Sequence, residues 1–170
     1  MISAGDIEWL ASISGQGQVD PAWDEDEHVR YGLYVRSLKD SEADVEDRVV
    51  EIVLRDPDRT MAQAALVDHV DRLALEIREL ESFCRRVDRV GEQAGELAFL
   101  RQRIREWILA KTSAVDPDSV IEDVLGSSHW LQRGLADSSE SVVLLEALAE
   151  RGLTRKIKNR ARDRARQLGK

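Results

Sequence analysis

From Leu66 to Val87 the apolar residues recur in steps of four and three: Leu66, Val70, Leu73, Ile77, Leu80, Cys84 and Val87. A helical turn takes about 3.6 residues, so this spacing keeps every member on one stripe of an α-helix. On a strand the same residues would be divided between two faces. Three heptads of this kind are the strongest periodic signal in the chain, and they predict a helix with an a/d seam. Asp71, Arg72, Glu76, Arg78, Glu79 and Arg85 fall off the seam. Leu97, Leu100, Ile104, Trp107 and Ile108 form a second stripe, with Arg101, Arg103 and Arg105 opposite. Gly91 and Gly95 separate the two, so the pair reads as a central antiparallel αα-hairpin over about 60–112. A coiled coil between two chains, using the same seam, is the competing reading.

The flanking segments keep the helical rhythm. Ile7, Trp9, Leu10 and Ile13 suggest one or two turns, followed by a loop over Gly15–Pro21. The acids Asp24–Glu27 open a helix that runs to about Lys39, where negative charge suits the helix N-terminus. Ser41 with Asp44 resembles a capping box for a helix over 42–55, and Thr60 with Gln63 resembles a second one after the Asp56-Pro57-Asp58 break. Beyond Asp116-Pro117 come short helices around Val120–Leu125, Trp130–Leu135 and Val142–Ala149, with Ser127 or Ser128, Ser138 or Ser139, and finally Thr154 as caps. No segment alternates at period two for long. The expected fold is all-α, with about eight helices: the central hairpin and then short HEAT-like helices. We expect a single all-helical domain over 1–170, with a possible sub-boundary near 113–118.

Composition narrows the field. The chain has 170 residues, of which 42% are hydrophobic and 34% charged, enough apolar material for a core. No uncharged apolar run approaches the ~18 residues of a membrane span. A single cysteine, Cys84, excludes an internal disulfide and a zinc site with several thiolates. The first residues carry no signal-peptide pattern, and with one thiol the expected compartment is the cytoplasm. Arginine outnumbers lysine 20 to 5, the bias of a GC-rich bacterial genome.

Charge is unevenly placed. The formal net charge is −8, yet residues 151–170 hold nine basic residues and a single acid, Asp163. Arg155, Lys156, Lys158, Arg160, Arg162, Arg164 and Arg166 make the last helix a candidate contact surface for phosphate or for an acidic partner. Residues 1–58 hold fifteen acids against five bases. Within them Trp23, Asp24, Glu25, Asp26, Glu27, Tyr31 and Tyr34 form a candidate partner-binding face, the aromatics serving as anchors where exposed.

No constellation of residues converges on chemistry. Glu25 and His28 give one Glu-x-x-His, whereas a carboxylate-bridged metal bundle needs two. His69 and His129 stand apart from other ligands. Cys84 lies on the seam, where a thiol behaves as a small hydrophobe. Gly15-Gln16-Gly17 lacks the lysine of a nucleotide-binding loop. No catalytic residue, metal ligand or cofactor site is assigned, and no enzyme activity is expected.

The stretch Ser128–Asp137, then Val142–Gly152, then Thr154–Arg162 resembles HEAT-like and leucine-rich-variant helical repeats, which use short helices with Leu-Ala and Arg-x-Ala endings and an arginine-rich inner helix. The chain as a whole looks like helical proteins common in actinobacteria. The resemblance implies an interaction scaffold. The expected function is therefore a cytoplasmic, non-enzymatic helical protein-interaction module, monomeric or homodimeric, using the acidic face (20–58) and the basic C-terminal helix (151–170). The alternatives are a nucleic-acid-associated protein that binds phosphates through that helix, and an acidic inhibitor or immunity-type protein that neutralises a basic partner.

Overall fold

The computed structural model describes every residue except Met1, Gly17, Gln18, Asp20, Glu25, Asp40, Glu96 and Lys170, together with the side chains of Pro21 and Asp24. The described residues form ten α-helices and no strand. They are α1 (Ala4–Ile13), α2 (Glu27–Lys39), α3 (Ala43–Leu54), α4 (Arg59–Glu76), α5 (Leu80–Ala94), α6 (Ala98–Val115), α7 (Ile121–Leu125), α8 (His129–Ser138), α9 (Val142–Arg151) and α10 (Arg155–Leu168). Short 3₁₀ turns cover Pro21–Asp24 and Asp118–Val120. The fold is all-α, with ten helices where about eight were expected. Two compact units are distinguished: one comprises Met1–Ile77 and Glu81–Ile104, the other Arg78–Leu80 and Arg105–Lys170.

The continuous seam over 66–87 is broken, so the stretch expected as a two-helix hairpin over about 60–112 is three helices, α4, α5 and α6. At Ile77 the backbone turns extended (φ −90°, ψ 105°), with its N–H closing on Leu73 O at 2.9 Å, and α5 begins at Leu80. The two helices then bury different stripes. In α4 the buried face is wide, taking in Ala62, Ala65, Leu66, His69, Val70 and Leu73, because α2 and α3 both pack against it. In α5 the buried stripe is Phe83, Val87, Val90 and Ala94, while Leu80 and Cys84 are half-buried. Val87 stays on the inner stripe, but Phe83 takes the place expected for Cys84, and its ring is a bigger apolar payload than a thiol.

Two expected caps also differ. Ser41 does not cap α3. Its hydroxyl donates to Ser37 O, and the N-cap is Glu42 without a side-chain bond. Asp58 rather than Thr60 caps α4, its Oδ1 accepting from Thr60 N at 3.0 Å and Met61 N at 2.9 Å. A box not anticipated from the sequence opens α1: Asp6 N–H donates to Ser3 Oγ at 3.2 Å and Ser3 N–H to Asp6 Oδ2 at 3.0 Å. The Ser3 N–H, with help from the Ser3 hydroxyl and Arg55, holds the Asp6 carboxyl below its ordinary range despite partial desolvation.

The second unit is closed by Val124, Leu131, Ala136, Leu144, Leu145, Leu148, Ile157 and Ala161, all at most 2% exposed. Each large aliphatic side chain buried in this way contributes about 1.5–3 kcal/mol. α10 packs along α9 and α8. Ser128, Ser141 and Thr154 cap α8, α9 and α10. For α8 and α10 the expectation holds, and for α9 the cap is Ser141 rather than Ser138 or Ser139. Gly152 joins α9 to α10 where a Cβ would lie 2.6 Å from Leu148 O and 2.9 Å from Ile157 Cγ2, so only glycine permits this approach.

Candidate functional site

The expected acidic face over 20–58 keeps exposed carboxylates at Asp26, Glu27, Glu42, Asp44 and Glu51 but loses Tyr34, Glu46 and Asp56 to the interior. Tyr34 is fully buried, and its hydroxyl donates to Asp56 Oδ2 at 2.7 Å. It is therefore a core residue and cannot anchor a partner, a correction to the expected face. Burial, and then the bond to Asp56, push its phenol well above the ordinary range. Tyr31 is half-buried and donates to Asp68, a bond that raises its pKa to about 12. Trp23 is half-buried in the first 3₁₀ turn, and its carbonyl accepts from Arg30 Nη1 at 2.8 Å. Asp26 and Glu27 are exposed at the start of α2. Glu25 and the side chain of Asp24 lie outside the described residues.

Two of its acids have gone inside. Asp56, 2% exposed, closes the turn between α3 and α4. It accepts from Arg30 Nε at 2.9 Å, from Tyr34 Oη, and through Oδ1 from Asp58 N at 2.8 Å. Glu46 of α3 is fully buried. Its Oε1 is hydrogen-bonded to His69 Nε2 of α4, and its Oε2 lies 2.6 Å from Arg86 Nε of α5. Arg72 Nη2 meets His69 Nδ1 at 2.7 Å and donates to Leu38 O at 2.6 Å, while its Nη1 donates to Lys39 O. Arg86 Nη2 reaches Ser41 O at 2.7 Å. A helix C-terminus leaves carbonyls without intrahelical partners, and Arg72 satisfies those of α2. A carboxylate beside an imidazole is also a catalytic pairing, but here the side chains are 0% and 1% exposed and guanidinium groups hold them from both sides. The arrangement neutralises charge and joins four elements. Sequence reading missed both clusters. The available signal was His69 three residues after Leu66 and one before Val70, which places it on the buried face of α4.

Asp26, Glu27 and His28 have ligand atoms within 4.8 Å of one another and are all exposed. They are consecutive at the N-terminus of α2, whose dipole disfavours a cation, and His28 N–H is already donated to Asp26 Oδ1 at 2.8 Å.

The basic helix resolves into two sides. Ile157 and Ala161 are buried and Ala165 is half-buried. Arg160 pairs with Asp137 of α8, and Arg164 Nε donates to Ser139 O at 3.2 Å, so these two cations brace α10 on its own unit. Both are half-buried, as is Lys158. Arg155, Lys156, Arg162 and Arg166 are exposed. Arg166 lies 3.8 Å from Asp163 across an exposed pair of little strength. Arg162 donates to Asn159 Oδ1 at 3.1 Å and to Ala149 O at 3.3 Å, which orients the guanidinium without neutralising it. Among the described residues no acid lies within ion-pair distance of Arg155, Lys156 or Arg162. The seven expected cations thus divide into two braces, Arg160 and Arg164, the half-buried Lys158, and an outward face of Arg155, Lys156, Arg162 and Arg166. Residues 105–170 hold twelve bases and ten acids, so this face stands on a nearly neutral unit.

The same unit carries two shallow clefts. One of about 400 Å³ is lined by Ser113, Pro117, Leu135, Ser138, Ser139 and Ser141 among others. The other, of about 230 Å³, lies beside an edge-to-face pair of Trp107 and Trp130, with ring centroids 5.3 Å apart. Among the described residues no helix is long and apolar enough to cross a membrane. Comparison with family models, curated proteins and solved structures returned no match for this chain.

Proposed function

We propose that this chain is a non-enzymatic helical interaction module that engages an acidic partner through the outward face of α10. The observation that carries this reading is the exposure of Arg155, Lys156 and Arg162 on a helix whose opposite side is fixed by Ile157, Ala161 and the Arg160–Asp137 pair. A helix already packed on its unit presents these cations without ordering backbone on binding, and their charge steers an anionic partner. The resemblance of 128–168 to HEAT-like helices supports the same use, since such helices present exposed faces to partners. The acidic face, whose exposed carboxylates are Asp26, Glu27, Glu42, Asp44 and Glu51, is given the smaller part because its expected anchor Tyr34 is buried and Trp23 and Tyr31 are half-buried.

The test is fluorescence anisotropy with labelled poly-glutamate. The protein should bind at low salt and release at moderate salt, and Arg155→Glu/Lys156→Glu/Arg162→Glu should abolish binding with the helical circular dichroism unchanged. Undiminished binding by that variant would overturn the assignment of α10. A gel shift with duplex DNA addresses the second reading, a nucleic-acid-associated protein, which would show retention stronger than that of poly-glutamate at equal salt.

A further inference from the structure

The residue preceding the α10 cap narrows the chemistry of the partner, granted the reading above. Leu153 stands just before Thr154, at the position where an apolar side chain folds onto the fourth helical residue. That residue is Lys158, so the staple has no apolar second half, and Leu153 is 55% exposed. Its backbone is nevertheless fixed. The Leu153 N–H donates to Gln132 Oε1 at 2.9 Å, and Gln132, fully buried in α8, donates Nε2 to Leu125 O at 2.7 Å. A buried amide thus pins a loop that exposes a leucine. Arg155 and Lys156 follow within three residues. Arg162 is drawn to the same end of α9 through Ala149 O at 3.3 Å.

A phosphate polymer gains nothing from a fixed, exposed leucine, and α10 offers no aromatic ring on which a base could stack. An acidic protein segment that also bears a large apolar side chain matches both features: carboxylates for the guanidinium and ammonium groups, and an apolar contact for Leu153. We infer that Leu153, Arg155, Lys156 and Arg162 form a docking point for such a segment.

Anisotropy with three labelled probes tests this: a short Glu/Asp peptide with a central leucine, the same peptide with serine in its place, and a single-stranded oligonucleotide of equal charge. The leucine peptide should bind about tenfold tighter than the serine peptide, equivalent to about 1.4 kcal/mol. Leu153→Ser should erase that difference, and Lys156→Glu/Arg162→Glu should weaken both peptides. Equal binding of the two peptides, persistence of the difference in Leu153→Ser, or preference for the oligonucleotide would overturn the docking point while leaving α10 as an anion-binding face. No binding of any anion at low salt would remove both proposals.

Discussion

Glu46 on α3 and His69 on α4 share a hydrogen bond with both side chains sealed from solvent, and Arg72 and Arg86 approach the pair from its two open ends. Burying a charge is tolerable only where it is paired and hydrogen-bonded. Removing one member leaves its partners desolvated and uncompensated, which costs about 3–5 kcal/mol in buried ion pairs. Glu46→Ala should therefore lower the unfolding free energy read from urea titration by an amount of that order, with the midpoint falling accordingly. Asp44→Ala, at a fully exposed carboxylate of the same helix, should change stability by less than about 0.5 kcal/mol. Near-equality of the two variants would show that the cluster carries no structural charge.

The two tyrosines give a spectroscopic check on the packing of α2. Tyr31 is held at about 12 by its bond to Asp68, and Tyr34 higher still by burial and Asp56. Absorbance titration should show no tyrosinate forming near pH 10. Both groups keep the neutral form in the folded state, so their stabilisation is complete below the unfolded pKa of about 10 and is lost as the pH rises beyond it. Asp68→Asn should bring Tyr31 toward its ordinary value while leaving Tyr34 unmoved. A normal titration of both tyrosines in the folded protein would contradict the described bonds.

Two glycines should respond in opposite directions. At Gly152 an added Cβ meets Leu148 O at 2.6 Å and Ile157 Cγ2 at 2.9 Å, and backbone cannot yield cheaply. Gly152→Ala should cost about 1–3 kcal/mol by overpacking. At Gly134, inside α8 and exposed, a Cβ would meet nothing within 4 Å. Gly134→Ala should therefore stabilise by about 0.5–1 kcal/mol through helix propensity. Thermal melts of the two variants, moving in opposite senses, check the α9–α10 junction directly.

The helical class was legible because every long segment repeats its apolar residues at helical spacing, and Ser128 and Thr154 announced two helix starts that the structure retains. What the pattern hid was tertiary. The segment Glu76–Leu80 contains neither glycine nor proline, so nothing local signals that the helix stops at Ile77 and resumes with Phe83, not Cys84, facing inward. Glu46 and Asp56 read as surface acids because sequence shows their charge but not the guanidinium groups of Arg86 and Arg30, forty and twenty-six residues away. On α10 the spacing of Leu153, Ile157, Ala161, Ala165 and Leu168 predicts one inner line, of which Ile157 and Ala161 are buried and Ala165 half-buried while Leu153 and Leu168 are exposed. It could not separate bracing cations from outward ones, because the acid that holds Arg160 belongs to α8.

The central claim is that the outward face of α10 is the contact surface, and amide chemical-shift mapping on the isotopically labelled full chain tests it most directly. Titration with the leucine-bearing acidic peptide should shift amides confined to 151–166 and the adjoining end of α9, saturating at one site. Shifts centred on 26–51, or none at concentrations where poly-glutamate binds, would contradict it.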